Sequence, residues 1–120
     1  MSAQPLSVHE LADQCGLALL YHGTFGSPPA VLGQALHNVV PQTLFCHLEA
    51  LSRSYRFVSV AEYCHASNRK GLATVTVADG FQCVPDEAFR FFQAFQLPLA
   101  IFIYCTFMEG TLFWRVPVWV

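Results

Sequence analysis

The sequence predicts an α/β fold with parallel strands, about three to four βα units in a partial (β/α) barrel. Two apolar runs, residues 17–21 and 72–77, have strand length and lack the alternation of a half-exposed strand, as expected for strands buried on both faces. Helix signals fall between and around them. Ser7 with Glu10 and Ser59 with Glu62 have capping-box spacing, and Pro41 precedes Leu44, Phe45, Leu48 and Leu51 at helical intervals. Strands alternating with helices belong to parallel architectures. Four units are too few to close the usual eight-stranded barrel.

Taken in order, Ser7 caps a short helix that Gly16 stops, and residues 17–21 form the first strand. Residues 22–40 hold three glycines and Pro28-Pro29, the composition of a long loop. The helix opened by Pro41 follows, then a short strand over 56–60 and a helix from Ser59 to about Ala66. After a turn at 68–71, strand 72–77 ends in Ala78-Asp79-Gly80. Pro85, Asp86 and Glu87 suit a helix N-terminus, and Ala88, Phe91, Phe92 and Phe95 give that helix its apolar stripe. Residues 97–105 read as a further strand, and 110–120 are aromatic-rich without an assignable element. With no repeat or linker, residues 1–120 are read as one domain.

Hydrophobic residues make up 54% of the chain and charged residues 12%, against about 25% charged in an ordinary soluble domain. A chain this small cannot bury all of that apolar surface. It should expose some, or cover it with a second copy in a homo-oligomer. Six basic and eight acidic residues, scattered and summing to −2, leave no electrostatic footprint for nucleic acid. The first sixteen residues lack a basic start and contain His9, Glu10 and Asp13, which is not an export signal and implies a cytoplasmic protein. The longest apolar stretch, 97–108, includes Pro98 and falls short of the roughly 20 residues of a membrane span. Five cysteines without a CxxC pair read as reduced thiols.

In parallel α/β domains ligands meet the C-terminal ends of the strands. Three such ends carry polar residues: Tyr21-His22-Gly23, Ala78-Asp79-Gly80 and Cys105-Thr106-Phe107. Asp79 is either a site residue or half of an ordinary Asp-Gly turn. His22 either bonds a sugar or an active-site carboxylate, or is satisfied by local backbone. His37 reads as a loop-tethering or surface residue, and His47 and His65 fall on helices with no assigned role. Cys83, near Asp79, has no histidine at a motif spacing to act as its base.

Five segments, in order and register from about residue 17 to 115, resemble the polysaccharide deacetylases (carbohydrate esterase family four, the nodulation-deacetylase homology domain). Leu19-Leu20-Tyr21-His22 is similar to the family's first strand, and Tyr55-Arg56-Phe57-Val58-Ser59-Val60-Ala61-Glu62 to its "gYrfVsldE" segment. Ala73-Thr74-Val75-Thr76-Val77-Ala78-Asp79-Gly80-Phe81 resembles "vaLTFDDGy". Leu97-Pro98-Leu99-Ala100-Ile101-Phe102-Ile103 resembles "lPaTfFv", and Thr111-Leu112-Phe113-Trp114-Arg115 a downstream "FW" element.

The resemblance implies metal-dependent hydrolysis of acetyl groups on carbohydrates. In the family, zinc or another divalent ion is held by the second Asp of the TFDDG motif and by two His of an HxxxH motif. The first Asp is the base on the metal-bound water. Asp79 matches the metal ligand. Ala78 stands at the base position and cannot accept a proton. Histidines at 9, 22, 37, 47 and 65 include no pair four apart, so HxxxH is missing. The expectation is therefore a truncated, catalytically inactive relative that holds no metal alone, with Tyr21 and His22 facing the carbohydrate. Two alternatives stand beside it: a pseudoenzyme keeping a sugar- or protein-binding surface, and an unrelated α/β module that dimerises through exposed apolar surface.

Overall fold

The computed structural model describes residues 4–28, 30, 37–78, 84 and 88–103. Its first element, α1 (Val8–Gln14), starts at a complete capping box. The Ser7 hydroxyl accepts from the Glu10 N–H at 3.2 Å, and the Glu10 carboxylate accepts from the Ser7 N–H at 2.8 Å. Strand β1 (Leu17–Tyr21) and helix α2 (Pro41–Ser52), with Pro41 in its first turn, follow as the residue pattern predicts. β2 is only Arg56–Phe57, shorter than the 56–60 expected. The backbone must leave the strand there because Ser59 caps α3 (Val60–His65), its hydroxyl accepting from the Glu62 N–H at 3.1 Å. The reciprocal arm of that second box is diverted: Glu62 Oε1 instead accepts from Arg56 Nη1 at 3.1 Å.

β3 (Leu72–Ala78) runs through the middle of a four-stranded, open, wholly parallel sheet. β1 lies along one edge, pairing Leu17 with Ala73 through to Tyr21 with Val77. Because Phe57 also pairs with Ala73, β2 must lie on the opposite edge. β4 (Leu99–Phe102) shares that edge further along, from Val75–Leu99 to Ala78–Phe102. The α/β class and the parallel strands thus stand as the sequence predicts.

One face of the sheet carries the core. Tyr21, Val75 and Val77 pack with Leu44 and Leu48 of α2 and with Phe92 of α4 (Phe89–Ala94), joined by Val84 and Ala88. A smaller cluster of Ala12, Tyr55 and Ala73 seats α1 near the start of β3. Helix α3 touches β3 but contributes to neither cluster. Handedness explains this: β1→β2 and β3→β4 advance in one direction across the sheet, whereas β2→β3 steps back, so right-handed crossovers send α3 to the other face.

β1 corrects one expectation. It is not buried on both faces, since its burial alternates and Leu20 is 59% exposed. An edge strand covered on one side only leaves every second residue outside. β3, paired on both edges, has the two-sided burial expected of it. Phe102 of β4 is likewise 56% exposed, so the apolar surface implied by composition lies partly on these two flanking strands. None of the described helices is long and apolar enough to cross a membrane. The helix start expected at 85–87 and the strand end at 104–105 lie outside the described residues.

Candidate functional site

The C-terminal ends of β1 and β3 are brought side by side by their register. Tyr21 pairs with Val77, so His22, one residue further on, is level with Ala78. On the other edge Ala78 pairs with Phe102. The position expected to hold a base is therefore between two strand ends, as the resemblance requires, and it carries a methyl group. Asp79, the expected metal ligand, lies outside the described residues, as do Phe81 and Cys83.

Tyr21 points into the core face and is 7% exposed. Its hydroxyl is 3.1 Å from His47 Nδ1, and the two rings stack at a centroid distance of 6.2 Å. His47, given no role from sequence, thus joins the end of β1. Its position on α2 carries the only sequence signal: it follows Leu44 by three and precedes Leu48 by one, beside the helix's buried stripe. His22 stands with its ring 6.3 Å from that of His37. The loop-tethering expected of His37 is done by its backbone, whose carbonyl accepts from the Gly23 N–H at 3.4 Å. Asn38 strengthens the tether with two bonds to the Phe25 backbone, of 2.9 and 3.0 Å. His65 lies elsewhere: Nδ1 is 2.7 Å from the Ala61 carbonyl on α3, and the residue borders a shallow open hollow of about 450 Å³ with Arg56, Glu62 and Lys70.

Burial raises the Tyr21 phenol above its ordinary value near 10.0, and raises Tyr55 also, with nearby Cys15 adding to the effect. A buried phenol resists ionisation. The stability contributed by neutral Tyr21 is fully present below about pH 10 and is lost as pH rises through the folded value, because only the unfolded chain then sheds its proton freely. The urea midpoint should accordingly fall between about pH 9 and 11.5, and fall less steeply in Tyr21→Phe. Equal slopes in the two proteins would show that Tyr21 is not held neutral by the fold.

The zinc set implied by the resemblance is not assembled by the described residues. Among them no group of three or more His, Cys, Asp and Glu is placed to hold a metal ion, and the sequence contains no HxxxH. The residues do not fit that group, and no chemical step through it is derived. What the site offers is two histidine rings and a tyrosine–histidine pair around a strand end capped by Ala78. Such groups can hydrogen-bond a polyhydroxylated ligand; Ala78 itself cannot move a proton. No protein-family model matches the sequence, and no curated protein matches it significantly.

Proposed function

We propose that this chain is a polysaccharide-deacetylase-like domain without deacetylase activity, whose ligand class is carbohydrate. The observation that carries the reading is Ala78. It ends the central strand, level with His22, where the resemblance puts the general base. Hydrolysis of an acetyl group needs a group that takes a proton from water, and alanine has none. The order of strand, helix and strand end along the chain is consistent with the five resembling segments. His22, with His47 beside Tyr21, supplies donors and acceptors at the place where parallel sheets receive ligands.

A second reading is favoured by a separate observation. Leu20 and Phe102 are more than half exposed on strands flanking β3, which suits a protein-interaction module.

The test uses the full chain, zinc and a partly acetylated chitooligosaccharide. We expect no acetate release from the wild type or from Ala78→Asp, which restores one carboxylate but no histidine pair. We also expect the oligosaccharide to shift the His22 and His47 imidazole resonances. Acetate release by either protein would overturn the inactive assignment. Unmoved resonances at saturating sugar would discard carbohydrate and leave the interaction module.

A further inference from the structure

The chain leaving β1 is clamped to residues 37–39. The Gly23 N–H donates to the His37 carbonyl, the Val39 N–H donates to the Gly23 carbonyl at 2.9 Å, and the Asn38 amide bonds Phe25 in both directions. Gly23 and Asn38 form a parallel bridge between the two segments. His22 and His37 each adjoin a bridge residue, so the backbone beneath both rings is fixed. The rings face each other at 6.3 Å, inclined by 41°.

That spacing has a chemical meaning. Two imidazoles that share one metal ion each place a nitrogen about 2.0–2.1 Å from it, which puts their ring centroids roughly 5–6.5 Å apart. We propose that His22 and His37 form a two-histidine binding site for a divalent transition-metal ion of the zinc–nickel–copper class. Neutral imidazole suits these ions better than the hard cations, which prefer oxygen. The clamp lowers the cost of chelation, because the two ligands do not have to be gathered from a flexible loop. The pair differs from the set implied by the resemblance: neither histidine belongs to an HxxxH motif, and Asp79 has no part in it. With only two protein ligands, the ion keeps open positions for water or a ligand hydroxyl.

The probe is Ni²⁺, titrated calorimetrically into the untagged full chain in a non-chelating buffer. Exposed Cys15, Cys46 and Cys64 are competing ligands, so a variant with all three changed to serine is titrated alongside. One ion per chain is expected in both proteins. His37→Gln and His22→Gln should each weaken binding about tenfold or more, while His9→Gln on α1 should not. Circular dichroism of each variant without metal checks the fold. Should His22→Gln fail to fold, the exposed His37 still decides the matter. The proposal is overturned if wild type binds no Ni²⁺, if His37→Gln binds as wild type does, or if binding disappears with the cysteines. None of these outcomes bears on the carbohydrate reading, which the oligosaccharide shifts decide.

Discussion

Phe92→Ala is expected to lower the free energy of unfolding by about 3–5 kcal/mol. Phe92 is 2% exposed and sits where α4 meets the sheet, among Leu44, Leu48, Val75 and Val77. Truncation removes the apolar transfer free energy of the ring and leaves a cavity between rigid elements that cannot close. Phe45 cannot swing in to fill it, because it already packs against Phe91 and Phe95 at 5.3 Å each. The Phe92 carbonyl also accepts from the Leu97 N–H at 2.9 Å, which tightens the turn into β4. Loosening α4 should therefore loosen the β3–β4 edge. Urea denaturation gives the number. A loss below about 1 kcal/mol would mean that α4 is not seated on the sheet.

The second large effect is expected at Gly16. A Cβ there would lie 2.6 Å from the Arg69 carbonyl oxygen, 2.7 Å from the Tyr63 hydroxyl and 2.8 Å from the Arg69 Cβ. Carbon atoms do not approach that closely, and one obstacle is backbone. The Arg69 carbonyl accepts from the Leu72 N–H at 3.0 Å. Its side chain holds the end of α3, with Nε and Nη2 donating to the Tyr63 and Cys64 carbonyls at 2.8 and 3.0 Å. Room for a methyl group at residue 16 can come only by shifting that whole turn. Gly16→Ala should cost about 3 kcal/mol, at the upper end of the overpacking range. Adding Tyr63→Phe removes one of the three close atoms and should restore part of the loss. No loss in the single variant, or no recovery in the double, would show that the approach of α3 to residue 16 is looser than described.

Local signals in the sequence were read well, and non-local ones were not. Ser7 with Glu10, Pro41, and the β-branched run before Ala78 each act through neighbours a few residues away, and the elements they announce are present. The alternating pattern likewise conveys a parallel sheet. Pairing across the sheet is another matter. The run at 17–21 looks doubly buried because all five residues are apolar, but only its place at an edge decides that Leu20 faces out. Glu62 has capping-box spacing, yet Arg56 claims its carboxylate. At the candidate site, Ala78 and His22 are placed by strand ends and were legible. His47 was not, because its partner Tyr21 lies 26 positions away. The pairing of His22 with His37 depends on a backbone clamp that no spacing rule encodes.

The sheet has a consequence for how the chain is made. Every described strand pairing involves β3, and β1 is hydrogen-bonded to neither β2 nor β4. A nascent chain can wind α1 and α2 as it emerges, but β1 has no partner until residues 72–78 have been synthesised. Leu17, Leu19 and Leu20 must wait through that interval without the strand that will receive them. Closing so long a loop before any ladder forms is slow. Ordered folding is therefore delayed until past the middle of translation, and the waiting leucines are the segment a chaperone would have to shield.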